Sequence, residues 1–249
     1  MKEISINELN IKFLGPSIDE GPLPAIFYFA LSAQDSLTVD PYNQPIKNID
    51  LKKVRVFSID LPEHEHAKSP YEAIGAWIDS LMKQESFLES FFLQIAECIR
   101  ELKQLNYFTM DQLALMGLSR GAFVAIHVTS KINQPITVLG FSPLMSLPFT
   151  KEAKEKNYLK TEYDLKNLIP QLLNKNIRLY IGNRDTRVGS SESSNFILEL
   201  ADSAFNHGVK NPPFELFIFP SIGYMGHGTP KQIFEEGSNF LLKALGVHD

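Results

Sequence analysis

The sequence predicts an α/β fold, a mostly parallel sheet with helices on both faces. Three observations predict it. Short apolar runs bounded by turn residues recur along the chain, and longer stretches at helical period separate most of them. The 249 residues are 44% hydrophobic and 21% charged, the balance of a soluble globular chain with a sizeable core to bury. That balance excludes an intrinsically disordered or fibrous chain. The length exceeds a typical domain of about 150 residues, yet α/β folds reach 200–250 as one unit. With no internal repeat or low-complexity segment, a single domain over residues 1–249 is expected.

Each element has a local reason, taken in chain order. The opening MKEISINELNIKFLG carries Glu3 and Glu8 where a secretory signal needs a long apolar run, and no later stretch reaches about 18 apolar residues. The expectation is a soluble, cytoplasmic chain without a membrane span. Strands are expected at 25–31 (AIFYFAL), 54–61 (VRVFSIDL), 112–118 (QLALMGL), 135–141 (PITVLGF), 177–182 (IRLYIG) and 214–220 (FELFIFP), most of them buried. Helices are expected at 71–82, 86–105, 120–131, 190–207 and 231–245, the fourth closing at Gly208. In the helix at 86–105, Phe87, Phe91, Ile95, Cys98, Ile99 and Leu102 fall on one face at spacings of three and four, with Ser86 as the cap. Residues 143–176 form the most polar stretch between two strands and exceed an ordinary connection. Such length is consistent with a small cap insertion over a site.

Charge and cysteine content exclude other classes. There are 24 Lys and Arg against 29 Asp and Glu, a net charge of −5, and no basic block, so no nucleic-acid partner is expected. Cys98 is the only cysteine, which rules out an intrachain disulfide and a multi-cysteine zinc site.

The chemistry is concentrated in Gly117-Leu118-Ser119-Arg120-Gly121, set after an expected strand and at the start of an expected helix. In that context G-x-S-x-G marks a nucleophile elbow, a turn so tight that side chains at Gly117 and Gly121 would strike neighbouring backbone. Ser119 Oγ is then exposed at the end of the sheet, and the Arg120 N–H at the helix N-terminus faces the oxyanion of an attacked acyl carbon. Chance alone yields such a motif in about one chain in ten of this length. The residues downstream of the motif add weight. A serine needs a base, and the base needs an orienting carboxylate. Asp185 lies after the strand ending at Gly182, and His227 lies after the last strand between Gly226 and Gly228.

Carrying these motifs in the order Ser, Asp, His, the chain resembles the α/β-hydrolase superfamily. The pairing of IGNRDTRVG with GHG is similar to its prolyl oligopeptidase-like and dienelactone hydrolase-like members. The likeness runs from Ala25 to about Leu245. It implies an α/β-hydrolase fold with Ser119 as nucleophile, Asp185 as acid and His227 as base. Asp60-Leu61-Pro62-Glu63-His64 resembles the D-x-P-G-H of many members, with Glu63 in place of glycine. Members often carry His-Gly after the strand that supplies the second oxyanion N–H, whereas this chain has FYFALSAQDSL. The implied donor is the backbone N–H of Leu31 or of Ser32.

Plainer readings compete elsewhere. His64 and His66 form a His-x-His without a third ligand assured by spacing, so a metal site is not expected. His127 reads as a packed helix residue, His207 as a helix end, His248 as tail, and Cys98 as a buried structural thiol. Arg184 and Arg187 flank Asp185 and read as solvated loop charges in preference to a carboxylate-binding pair. Asp35 reads as a turn residue. Tyr224 and Met225, just before His227, are candidates for the substrate pocket.

The expected protein is a serine hydrolase that cleaves a small-molecule carboxylic ester, or a thioester or amide, through an acyl-serine intermediate and without a cofactor. The alternatives are a catalytically silent protein of the same fold that binds a ligand or partner, a small serine peptidase, and a metal hydrolase using His64 and His66.

Overall fold

A computed structural model describes residues 1–64, 69 and 71–247 of the chain. Eight strands form one sheet in the order β1-β2-β4-β3-β5-β6-β7-β8. They are β1 (Lys2–Ile6), β2 (Leu9–Leu14), β3 (Ala25–Phe29), β4 (Arg55–Ile59), β5 (Leu113–Leu118), β6 (Thr137–Phe141), β7 (Asn176–Gly182) and β8 (Phe214–Phe219). The β1–β2 and β2–β4 pairs are antiparallel, and β4, β3, β5, β6, β7 and β8 pair in parallel. All six strands expected from the apolar runs are present. The β1–β2 hairpin is additional.

The described residues include eight α-helices: α1 (Ala33–Thr38), α2 (Ala73–Met82), α3 (Phe87–Gln104), α4 (Arg120–Ser130), α5 (Lys151–Glu155), α6 (Ile169–Leu172), α7 (Ser190–Asn206) and α8 (Lys231–Ala244). Strand side chains alternate between two cores, as period 2 requires. Phe27, Phe29 and Phe57 join the core built with α2, α3, α4 and α7, while Ile26, Tyr28 and Val56 join the one built with α1 and α8. Burial on both faces is why β3 reads as an unbroken apolar run, while β4 is as fully buried but includes Arg55 and Ser58. β8 departs from that pattern, because it closes one edge of the sheet and leaves Ile218 58% exposed.

Two local expectations are corrected. The buried face of α3 starts at Leu88 and Phe92 and continues through Ile95, Cys98, Ile99 and Leu102, leaving Phe87 and Phe91 only half-buried. The rotation follows from packing on α4, where the Phe92 ring lies near the rings of Phe123 and His127. Ser86 stands at the start of α3, but its side chain makes no capping hydrogen bond.

Residues 143–176 hold α5, α6 and short 3-10 turns. Lys156 forms an ion pair with Asp79 of α2, and Leu165 N–H bonds to the Met145 carbonyl. The Lys156–Asp79 pair sets α5 beside α2. Among the described residues, no helix is long and apolar enough to cross a membrane.

Candidate active site

Ser119 joins β5 to α4 with φ 55° and ψ −117°, a backbone conformation that costs a non-glycine residue about 1–3 kcal/mol. Its surroundings hold it there. Ser119 N–H donates to the Phe141 carbonyl at 2.8 Å, and its own carbonyl accepts from the N–H groups of Ala122, Phe123 and Leu144. The flanking glycines have no alternative. A Cβ on Gly121 would lie 1.9 Å from the Phe29 carbonyl oxygen, and one on Gly117 would lie 2.3 Å from Ala122 N.

Asp185 occupies the loop after β7. Its Oδ1 accepts the backbone N–H groups of Arg187 at 3.0 Å and Val188 at 3.1 Å, while its own N–H donates to Ser190 Oγ at 2.9 Å. The carboxylate is fully buried, and Oδ2 is turned to His227 Nδ1 at 2.7 Å. His227 Nε2 lies 2.9 Å from Ser119 Oγ. A carboxylate only accepts, so Nδ1 carries the imidazole hydrogen and Nε2 accepts from the serine hydroxyl. Residues 108 and 66 positions apart in sequence thus stand in one hydrogen-bonded series.

The two loops that carry Asp185 and His227 are tied together. Thr186 bonds to the Met225 carbonyl through both N–H, at 2.9 Å, and hydroxyl, at 3.1 Å. Arg184 N–H donates to Ser221 Oγ at 2.7 Å, and Ser221 N–H to Asn183 Oδ1 at 3.0 Å. At Gly226, with φ 73°, a Cβ would approach the Arg184 carbonyl to 2.2 Å. That close approach is what lets His227 bend back toward Ser119.

Two cavities meet at the serine. The larger, about 620 Å³, is bounded in part by Phe149, Thr150 and α5 from residues 143–176, and by Tyr224 and Met225. The smaller, about 270 Å³, is lined by Ala30, Leu31, Tyr42, His227 and Phe234 among others. Tyr224 is 82% exposed, so Met225 is the more enclosed of the pair.

The residues expected around an oxyanion differ in their surroundings. Arg120 opens α4 beside both cavities. Leu31 lines the smaller cavity, with its N–H donating to Ser36 Oγ at 3.0 Å. Ser32 caps α1 by accepting the Asp35 N–H on its Oγ at 3.0 Å. Asp35 lies in the first turn of α1.

The histidines other than His227 have structural partners where they are described. His64 Nδ1 lies 2.8 Å from the Pro62 carbonyl and so carries the hydrogen, while Nε2 accepts from the Arg120 guanidinium at 3.0 Å. Burial and the Arg120 charge hold His64 down at about 4, so it is neutral near pH 7. His66 and His248 lie outside the described residues. His127 is buried against the Phe92 ring with centroids 4.3 Å apart, and burial pushes it down to about 3. Burial raises the Cys98 thiol to about 12, in keeping with a structural role.

The Arg120 side chain is the part of the site that sequence reasoning missed. Only 7% of the residue is exposed, and burial with the neighbouring Arg187 lowers its guanidinium to about 10, still a cation at neutral pH. The signal available in sequence was an arginine directly after the elbow serine, where the helix start meets the site. Arg187 also differs from expectation, because it is half-buried and lines both cavities, whereas Arg184 is exposed.

No protein-family model matches the sequence, and no curated protein matches it. Solved structures do. The Pyrococcus furiosus esterase Pf2001 is 20% identical, with 98% of this chain and 90% of that one covered at a TM-score of 0.65. Est1E from Butyrivibrio proteoclasticus, with ferulic acid bound, is 12% identical, covered over 99% and 100% at 0.65. Dipeptidyl peptidase 4 of Porphyromonas gingivalis is 16% identical, covered over 97% and 35% at 0.64. The chain spans about a third of the length of the peptidases it matches. With the strand order above, these similarities show that the chain has the α/β-hydrolase fold.

Proposed function

We propose that the protein is a serine hydrolase that cleaves a carboxylic ester through an acyl intermediate on Ser119. The observation that carries the proposal is the series Asp185–His227–Ser119, at 2.7 and 2.9 Å, on a strained elbow where two cavities meet. In the first step Ser119 Oγ attacks the acyl carbon as its proton passes to His227 Nε2. Asp185 keeps the hydrogen on Nδ1 and offsets the charge of the imidazolium. The oxyanion is received by the Arg120 N–H and a second N–H from Ser32, since the Leu31 N–H is directed to Ser36 Oγ. His227 then gives its proton to the leaving oxygen, and the alcohol departs. Water attacks the acyl-enzyme with His227 as base, releasing the acid and restoring the serine.

Esters are preferred over peptides on the comparisons. The two esterases are matched over nine-tenths or more of their length, the peptidase over about a third. We read residues 143–176 as a small cap within a single domain, since Phe149 and α5 border the larger cavity. Tyr224 and Met225 then belong to the substrate pocket.

The test is hydrolysis of p-nitrophenyl esters of graded acyl length by wild type and Ser119→Ala, with labelling by a fluorophosphonate. Turnover and labelling in wild type, both lost in Ser119→Ala, are expected. One observation favours a second reading, a catalytically silent ligand- or partner-binding protein: the Leu31 N–H is directed to Ser36 Oγ. That reading predicts neither turnover nor labelling.

A further inference from the structure

We infer that Ser142 and Thr229 are positioning residues for the reaction: the bond between their hydroxyl groups holds the base His227 within reach of the nucleophile Ser119. The inference goes beyond the serine hydrolase reading above and rests on it. Ser142 follows the last residue of β6 with φ 42°, in the left-handed region that glycine occupies freely and a side chain occupies under strain. Its backbone is held from the neighbouring strand, with its N–H donating to the Tyr180 carbonyl at 2.7 Å. The residue is fully buried, so its hydroxyl needs a partner inside the protein. That partner is Thr229 Oγ1, 3.1 Å away and 87 positions along the chain.

Each end of this bond stands next to one member of the reacting pair. Phe141, the residue before Ser142, accepts the Ser119 N–H on its carbonyl at 2.8 Å, which joins the end of β6 to the elbow. Thr229 follows His227 and Gly228 at the exit of the loop that carries the base. The Ser142–Thr229 bond therefore spans the same gap as the 2.9 Å contact between His227 Nε2 and Ser119 Oγ.

The other ties of that loop run elsewhere. The Gly228 N–H donates to the Ile222 carbonyl at 2.8 Å, within the loop itself. Thr186 bonds to the Met225 carbonyl and Asp185 to His227, and both of these join the loop to the segment after β7. They fix His227 against Asp185. Its reach toward Ser119 is set by the packing of the sheet and, among the side-chain hydrogen bonds of the described residues outside the triad, by Ser142–Thr229. A base displaced by a fraction of an ångström still pairs with Asp185 but accepts the serine proton less readily, so the loss falls on the chemical step.

Thr229→Val keeps the shape of the side chain and removes the hydroxyl. With p-nitrophenyl acetate it is expected to lower kcat and kcat/KM together by about 10–100-fold, the scale for a misplaced reacting group. Thr229→Ser is expected to recover most of that loss. Thr229 also borders the smaller cavity, whereas Ser142 borders neither, so Ser142→Ala separates positioning from contact with substrate. Ser142→Ala is expected to match Thr229→Val, and the double variant to be no worse than either single one, since all three break the same bond. Fluorophosphonate labelling rates should fall in the same order, with circular dichroism melts to confirm folding. Either single variant carries the test if the other does not fold. Three outcomes in an active, labelled protein overturn the positioning role alone: a folded Thr229→Val or Ser142→Ala within about threefold of wild type, a loss that Thr229→Ser does not relieve, or single losses that multiply in the double variant. A wild type that neither labels nor turns over removes the hydrolase reading, and this role with it.

Discussion

Asp185→Asn exchanges one oxygen for an NH₂ group at the base of the hydrogen-bonded series. Because Oδ1 accepts two backbone N–H groups, at 3.0 and 3.1 Å, the amide oxygen of the variant must take that side. Its NH₂ then faces His227 Nδ1 across the 2.7 Å contact, donor against donor. The ring relieves the conflict by moving its hydrogen to Nε2, which now points a donor at Ser119 Oγ, 2.9 Å away. A base with its lone pair turned from the serine cannot accept the proton. On the proposed function, the expected loss in kcat is about 10⁴-fold, as for the same change in a Ser-His-Asp triad, or about 5.5 kcal/mol of barrier. Folding changes far less, because both backbone bonds survive. Measuring p-nitrophenyl acetate turnover and the fluorophosphonate labelling rate beside wild type and Ser119→Ala, with circular dichroism as a check on folding, isolates the effect. A folded Asp185→Asn protein within about tenfold of wild type would refute the argument, since an effect that small is not a reversed tautomer.

Two further predictions concern the scaffold. Gly121→Ala places a methyl carbon 1.9 Å from the Phe29 carbonyl oxygen and 2.3 Å from its carbon, backbone that can yield only if α4 parts from β3. A loss of about 4 kcal/mol or more is expected, read as a Tm drop of about 8–16 °C, and a melt within about 3 °C of wild type would contradict it. Burial holds His64 at about 4 and His127 at about 3, both below the ordinary histidine value of 6.5. The folded state keeps them neutral while the unfolded state takes up protons, so their contribution is complete above pH 6.5. It is lost as pH falls from 6.5 toward about 4 and about 3, at up to about 1.4 kcal/mol per pH unit for each ring. Urea midpoints at pH 7.5 and 5 should therefore differ less in His127→Gln than in wild type, and equal differences would exclude the mechanism.

The legible parts of this protein are those set by local chemistry. Apolar runs announce β3 to β7, since a strand covered on both faces is mostly apolar along its length, even where β4 carries Arg55 and Ser58 and β7 carries Arg178. Gly117, Ser119 and Gly121 announce the elbow, because only that residue pattern fits a turn packed against Phe29 and Ala122. A search for apolar runs misses the β1–β2 hairpin. Its signal is alternation instead: Ile4 and Ile6, then Leu9, Ile11 and Phe13, on either side of Asn7 and Glu8, which turn with φ 47° and 66°. The first turns of α3 bury Leu88 and Phe92 in place of the expected Phe87 and Phe91, while Ile95, Cys98, Ile99 and Leu102 are buried as expected, because periodicity gives a stripe and the rings of α4 choose its centre.

By itself, then, the sequence determined the succession of the six parallel strands, the helices α2, α3, α4, α7 and α8, and the order Ser119, Asp185, His227, all of which depend on neighbours along the chain. Tertiary structure alone decided which groups face which: that Leu31 directs its N–H to Ser36, that His64 holds the Arg120 guanidinium, and that Arg187 turns into the cavities while Arg184 stays outside. The direction of a hydrogen bond and the burial of a charge are fixed by atoms brought together from distant segments, as with His64 and Arg120, 56 positions apart. No local pattern encodes them.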